Sequence, residues 1–142
     1  MSRLELQYVR VNPNSIPPTV GSPDAAGIDL YCCEPIKIKP RRIELVNTGI
    51  AIALPPQSYG RIADRSSIAK QKVAVVGGVI DADYRGELKV MLRNDNEYPV
   101  AYEPGARVAQ LIVERIHLVQ PYEVKELPST HRGASGFGST GK

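Results

Sequence analysis

The stretch Arg107-Val108-Ala109-Gln110-Leu111-Ile112-Val113-Glu114-Arg115-Ile116 is the longest of several runs rich in β-branched and aliphatic residues. Apolar and polar residues alternate along parts of these runs, which is typical of strands with one face turned to the core. Shorter runs of the same kind cover residues 42–48, 50–54 and 88–92. The chain has 12 Gly and 12 Pro, which divide it into short segments, and only residues 66–72 favour a short helix. The sequence therefore predicts an all-β sandwich or barrel of many short strands.

Composition and charge exclude several classes of protein. No stretch approaches the roughly 20 apolar residues that a membrane span needs, and the first ten residues resemble neither a signal nor a transit peptide. The net charge of +3 is weak, so nucleic-acid binding is not expected. The adjacent Cys32 and Cys33 exclude a disulfide framework and, with His117 and His131, make a poor zinc site. We expect a soluble protein of the cytoplasm or nucleus, with viral and cellular origin both left open.

The C-terminal residues 132–142 are too poor in apolar side chains to pack by themselves, yet they hold Phe137, the one Phe of the chain. Their glycines allow backbone amides to converge on an anion, and Arg132, Ser139 and Thr140 add side-chain donors. We interpret this tail as a segment that uses its ring and its donors to contact an anionic ligand; the alternative is an inert flexible tail.

Residues 60–67 end in Arg65-Ser66-Ser67, a group of guanidinium, hydroxyl and amide donors that suits phosphate. The alternative is an ordinary serine helix cap with a surface salt bridge.

Residues 77–86 combine two glycines with Asp81 and Asp83, which an extended backbone would place on the same side. One carboxylate would serve as a general base, or both would hold a divalent cation. A polar hairpin loop with Asp at turn positions is the alternative.

Taken in order, five segments resemble the signature motifs of the trimeric dUTPase family. They cover residues 26–31, 59–67, 78–86, 105–111 and 132–141. The resemblance implies a jelly-roll-like β domain over residues 1–128 and a flexible arm over residues 129–142, assembled as a homotrimer with active sites shared between subunits. It also implies hydrolysis of dUTP to dUMP and pyrophosphate with Mg²⁺, which lowers dUTP and supplies dUMP for dTTP synthesis.

The same resemblance implies a role for each motif residue. Asp81 matches the general base that activates the attacking water, and Gln110 matches a glutamine near that water and the phosphates. Asp29 matches an aspartate that reaches Mg²⁺ through water. The residues expected to hold the phosphates are Arg65, Ser66, Ser67, Arg132, Gly138, Ser139 and Thr140. The residues expected to hold the uracil and the deoxyribose are Gly78, Val79, Ile80, Tyr84 and Phe137.

Three positions depart from the family pattern. Asp64 stands where the second motif normally has Pro, so we expect less local rigidity and an added negative charge near the triphosphate. Ser67 stands where most members have Gly, a change that is tolerable if the backbone there needs no positive φ. Ala106 replaces a common Asp.

Two other functions stay open at this point. A dCTP deaminase would share the fold and an Arg-Ser-Ser segment, but its glutamate falls here at Met91, which cannot shuttle protons. A non-catalytic relative that binds partner proteins would have lost motif residues that this chain keeps. Protein partners beyond the trimer are not readable from the sequence.

Overall fold

Twelve short strands and one turn of helix form the regular structure of residues 4–138, the part of the chain that this computed structural model describes. The strands that precede the helix are β1 (Gln7–Arg10), β2 (Thr19–Val20), β3 (Ile28–Tyr31), β4 (Ile36–Ile38), β5 (Ile43–Asn47), β6 (Ile50–Ala53) and β7 (Ser58–Ala63). The helix is α1 (Ser66–Ala69). The strands that follow it are β8 (Val73–Val75), β9 (Val79–Ile80), β10 (Lys89–Asn94), β11 (Val100–Tyr102) and β12 (Arg107–Arg115).

The predicted jelly-roll-like all-β fold is confirmed, and the four apolar runs named above correspond to β5, β6, β10 and β12. The short helix is confirmed as well, although it spans only Ser66–Ala69 of the predicted range. Because this helix has four residues, no helix in the described residues has the length and hydropathy to cross a membrane.

The strands pair in an order that differs from their order in the chain. The largest sheet has the order β2-β3-β12-β7-β9, so β12 pairs with strands from two earlier parts of the sequence. The other sheets are β5-β10-β8, β1-β6 and β11-β4. In the largest sheet Gln110 of β12 lies opposite Asp29 of β3 on one side and opposite Ala63 of β7 on the other. This register places three of the predicted motifs side by side.

Alternating burial explains why the strands form a core. In β10 the side chains of Val90, Leu92 and Asn94 are buried, whereas those between them are exposed. Leu111 of β12 is fully buried in the same cluster. Inward-facing residues of separate sheets thus meet in one apolar interior, as period-two strands require.

Residues 116–138 contain no helix or strand. Several of their apolar side chains are exposed in the single chain, among them Leu118, Val119, Tyr122 and Leu127. The domain boundary between residues 128 and 129 stays a prediction.

The buried amide of Asn94 bonds to backbone groups of two segments, the end of β4 and residues 96–98. Its Nδ2 donates to the carbonyl oxygens of Ile38 at 3.0 Å and Tyr98 at 2.9 Å, and its Oδ1 accepts from the N–H of Asn96 at 2.9 Å. We expect Asn94→Ala to lower the free energy of unfolding by about 2–4 kcal/mol, because buried backbone groups lose their partners. Urea unfolding measures this loss. The exposed Asn14→Ala is the control, and an equal loss in both variants contradicts the account.

Candidate active site

A carboxylate and two guanidiniums meet where β3, β7 and β12 lie side by side. Asp29 Oδ1 is 3.2 Å from Arg65 Nε, and Asp29 Oδ2 is 3.8 Å from Arg107 Nη1. The Asp29 side chain is only 14% exposed, so solvent screens these attractions less than it screens surface ion pairs. The guanidinium of Arg107 also lies 5.8 Å above the Tyr31 ring, within the range of a cation–π contact. Asp29 therefore orients two cations at the edge of the site.

Gln110 extends into the space beside this cluster. Its Nε2 donates to the main-chain carbonyl oxygen of Asp64 at 2.7 Å. The Gln110 side chain also packs against Gly27. A Cβ added to Gly27 would lie 2.8 Å from Gln110 Cδ and 2.9 Å from Gln110 Cβ. Real Cβ atoms do not come so close, so Gly27 provides the space that Gln110 occupies.

The start of α1 places the predicted phosphate ligands next to Arg65. Arg65 takes the N-cap position with an extended backbone and makes no side-chain capping bond, so the serine-cap alternative is wrong. Its Nη1 donates to Ser67 Oγ at 3.1 Å. Ser66 and Ser67 begin the helix, where geometry supplies no intrahelical acceptor for the first amides. Ser67 is not among the residues with positive φ, which meets the condition for serine at this position.

The hairpin around β9 holds the predicted base and sugar ligands. Gly78 has φ +102°, and a Cβ there would lie 2.6 Å from the Ile62 carbonyl oxygen, so only glycine fits. Val79 and Ile80 continue the sheet beside β7. After β9 the chain turns, and the N–H of Tyr84 donates to the Asp81 carbonyl oxygen at 3.1 Å.

Tyr84 lies back over its own turn. Its hydroxyl donates to the Glu87 carbonyl oxygen at 2.8 Å. A Cβ on Gly86 would lie 2.7 Å from Tyr84 Cζ, so Gly86 makes room for the ring. Arg85 Nη1 donates to the Ala82 carbonyl oxygen at 2.7 Å, which holds the turn from the other side. Asp83 lies within this turn. The hydroxyl bond to Glu87 and the space at Gly86 fix the phenol ring, while Tyr84 stays 42% exposed.

The two halves of the predicted site lie at opposite ends of β7 in one chain. Ile80 pairs with Gly60, so Asp81 lies near the level of Tyr59. Arg65 is six residues further along β7 and its extension, which corresponds to roughly 20 Å along an extended backbone. The structure thus brings Asp29, Arg65 and Gln110 together but not Asp81 with them.

The arm makes local contacts within the described residues. Arg132 Nε donates to the Ser135 carbonyl oxygen at 2.5 Å, and the N–H of Ser135 donates back to the Arg132 carbonyl oxygen at 3.3 Å. The Phe137 side chain is fully exposed, and Gly138 adopts φ +84°. Ser139 and Thr140 lie outside the described residues.

Thiol and clustered-metal chemistry find no support in residues 4–138. Burial raises the pKa of both Cys32 and Cys33, which keeps their thiols protonated and poorly nucleophilic. Within this range no group of three or more His, Cys, Asp or Glu side chains is placed to hold a metal ion.

Sequence reasoning missed the contacts that three residues make in this site: Gly27, Asp64 and Arg107. Asp64 Oδ1 accepts a hydrogen bond from the N–H of Val75 at 2.6 Å, so its charge does not simply project toward the phosphate ligands. Arg107 has no role among the predicted site residues, yet it pairs with Asp29. The Arg107 contact follows from the pairing of β12 with β3, whereas the Asp64 contact joins two separate sheets, and no local pattern reveals either.

Comparison with known proteins gives consistent similarities. Residues 14–141 match the family described as dUTPase. The chain is 46% identical over 138 residues to the deoxyuridine 5'-triphosphate nucleotidohydrolase of Fowl adenovirus A serotype 1, covering 96% of this chain and 78% of that protein. It is 43% identical over 136 residues to the Variola virus protein of the same name, covering 96% and 92%. The solved dUTPase of Staphylococcus bacteriophage 80alpha with dUPNHPP superimposes with a TM-score of 0.90 at 26% identity, covering 97% of this chain and 99% of that chain.

Removing the charge of Asp29 should lower the stability of the protein more than removing the charge of an exposed ion pair. We expect Asp29→Asn to lower the free energy of unfolding by about 1–3 kcal/mol, because Arg65 and Arg107 then lie close together without their carboxylate. Glu97→Gln removes a charge from the exposed Arg41–Glu97 pair, and we expect a loss of at most about 0.5 kcal/mol there. Thermal unfolding of both variants tests the difference, and equal losses contradict it.

Proposed function

This chain belongs to the dUTPase family, and we infer that it is a dUTP diphosphatase, which hydrolyses dUTP to dUMP and pyrophosphate. The observation that best supports this function is the cluster of Asp29, Arg65 and Gln110, which presents fixed polar groups beside the start of α1. Such a site suits a polyanion whose reaction depends on positioning and charge stabilisation. The reaction lowers dUTP and supplies dUMP for dTTP synthesis. We further propose that the enzyme acts in the cytoplasm or nucleus.

Asp81 is the proposed general base. Its carboxylate takes a proton from a water molecule as the water oxygen forms a bond to the α-phosphorus. The bond from that phosphorus to the oxygen bridging to the β-phosphate breaks, and pyrophosphate leaves with the bonding electrons. Asp81 is exposed at the end of β9, so water and substrate have access to it. Gln110 orients the phosphates and the attacking water.

Arg65, Ser66 and the amide of Ser67 hold the α- and β-phosphates. Asp29 keeps the Arg65 guanidinium in place before substrate binds, which reduces the entropy lost on binding. From the arm, Arg132 meets the γ-phosphate, and Gly138, Ser139 and Thr140 complete the anion-binding nest.

The β9 hairpin selects the base and the sugar. Gly78, Val79 and Ile80 present backbone groups to the uracil edge, and a close fit there would disfavour a thymine methyl. The fixed Tyr84 ring supports the deoxyribose, where a 2′-hydroxyl would clash. Phe137 stacks on the uracil from the arm.

Mg²⁺ is proposed to arrive with the triphosphate. The described residues offer no cluster of three metal-ligating side chains, and both Asp29 oxygens face guanidiniums. That donor set fits a contact from Asp29 through water and does not fit direct coordination, in keeping with the waters that Mg²⁺ retains. When bound, Mg²⁺ neutralises part of the phosphate charge.

A homotrimer with shared active sites is proposed for two reasons. A general base and the ligands of the attacked phosphorus must lie within a few ångströms of one atom, yet Asp81 and Arg65 lie at opposite ends of β7 in one chain. A neighbouring subunit therefore supplies one of them. The exposed apolar side chains of the segment after β12, such as Leu118 and Tyr122, also call for a partner surface.

The proposed function predicts which nucleotide is hydrolysed, and the proposed role of Asp81 predicts which variant loses activity. We expect dUTP with Mg²⁺ to give dUMP and pyrophosphate, while dCTP, dTTP and UTP react poorly. Asp81→Asn should lower kcat by about 10²–10⁴-fold, because the amide cannot accept the proton. Product analysis and pyrophosphate release measure both effects. Deamination of dCTP would favour the rival enzyme, and inactivity of the folded protein toward all four nucleotides would favour a binding protein.

Shared sites predict complementation between inactive subunits. Mixing Asp81→Ala with Phe137→Ala subunits should restore activity at about a quarter of the sites under random assortment of two subunit types. Mixing Arg65→Ala with Gln110→Ala is the matched control, because both residues belong to one cluster of one chain and no site would regain both. Mass spectrometry confirms mixing. Absence of rescue in the first pair, or rescue in the control pair, counts against the arrangement.

A further inference from the structure

Asp64 lies between the last residue of β7 and Arg65, and it makes two hydrogen bonds in different directions. Its side-chain Oδ1 accepts from the N–H of Val75 in β8 at 2.6 Å. Its main-chain carbonyl oxygen accepts from Gln110 Nε2 at 2.7 Å. One residue therefore links a strand of another sheet to the side chain that we place beside the phosphates.

The side-chain bond joins two separate sheets. β7 belongs to the five-stranded sheet, whereas β8 belongs to the sheet β5-β10-β8. The chain leaves β7 after Ala63, so the strand ladder no longer fixes the peptide that carries the Asp64 carbonyl. The bond to Val75 supplies a second point of attachment just where regular pairing ends.

The main-chain bond fixes which end of the Gln110 amide points where. A carbonyl oxygen only accepts hydrogen bonds, so the amide nitrogen must face Asp64 and the amide oxygen must point away from it. Gly27 leaves space for that orientation. A shift of the Asp64 peptide would release the amide to rotate.

We propose that Asp64 is a positioning residue for the reaction: its carboxylate holds the Val75 N–H, and its carbonyl thereby keeps the Gln110 amide in one orientation. The inference rests on the proposed function of Gln110. It differs from the expectation that Asp64 acts as a charge that repels the triphosphate. On that expectation removal of the charge tightens substrate binding, whereas here loss of the acceptor impairs turnover.

Two substitutions of Asp64 separate the effect of its hydrogen-bond acceptor from the effect of its charge. Asp64→Asn removes the charge and keeps an oxygen that accepts from Val75, whereas Asp64→Ala removes both. We expect Asp64→Ala to lower kcat by about 10- to 100-fold with a smaller change in KM, the scale of a displaced positioning group. Asp64→Asn should restore kcat to within about threefold of the parent enzyme. A lower KM in both variants with kcat unchanged overturns the proposal.

A double-mutant cycle tests whether Asp64 acts through Gln110. In the Gln110→Ala background, Asp64→Ala should cause little further loss of kcat, because the amide that it positions is already absent. Independent, additive losses would show that Asp64 does not work through Gln110. Asp24→Ala, an exposed loop carboxylate, is the matched control, and thermal unfolding verifies that each variant is folded.

The position of the Gln110 amide is also observable without turnover. Its side-chain NH₂ signal in a ¹H–¹⁵N spectrum is identified by its loss in Gln110→Ala. We expect this signal to move in Asp64→Ala and to stay close to its parent position in Asp64→Asn. An unmoved signal in Asp64→Ala rejects the positioning role. If the parent enzyme fails to hydrolyse dUTP, the proposed function fails, and this spectrum still decides whether Asp64 orients Gln110.

Discussion

The antiparallel pairing of β12 with β3 on one side and β7 on the other is the constraint on which the site depends. One register brings Gln110, Asp29 and Ala63 into a row across three strands. A slip of one residue would turn Gln110 to the opposite face and bring a core residue out in its place. Leu111 is fully buried beside Gln110, so the cost of exposing the core protects the geometry of the site. The stability of the sheet and the placement of the polar groups thus follow from the same ladder.

Local patterns located four of the twelve strands in the described residues and the short helix, but not which strands are neighbours. The runs of β5, β6, β10 and β12 were visible because apolar spacing and turn residues act over a few positions. β12 pairs with β3, which lies about 80 residues earlier in the chain, and with β7, which lies about 50 residues earlier. The spacing of apolar residues in one sequence does not show which distant strands pair. The resemblance to a family supplied the candidate residues. The contacts of Gly27 and Arg107 required the register of β12 and β3, and the contact of the Asp64 carboxylate required the position of β8 beside the end of β7.

The division of the site between the ends of β7 has a physical advantage. Triphosphate ligands need convergent cations, which repel one another when no anion is bound. Asp29 offsets that repulsion between Arg65 and Arg107 while the proposed base, Asp81, remains distant in the same chain. A carboxylate within the arginine cluster would be held as another ion pair and would be a weaker base. In the proposed shared site a neighbouring subunit supplies this base, so the base stays out of the arginine cluster of its own chain.

The aspartate at position 64 shows how a loop can replace covalent rigidity with a hydrogen bond. The family's usual proline restricts φ at that point of the second motif, at no cost in charge. Asp64 instead uses the N–H of Val75, which is available because β8 is an edge strand whose partner β10 lies on the other side. The N–H of the next residue, Val76, turns toward β10 and donates to the Met91 carbonyl oxygen, as alternation along a strand requires. The substitution is therefore compatible with this fold only where an edge strand presents an outward N–H to the loop. Any change that shifts the register of β8 would remove that donor and loosen the loop beside Arg65.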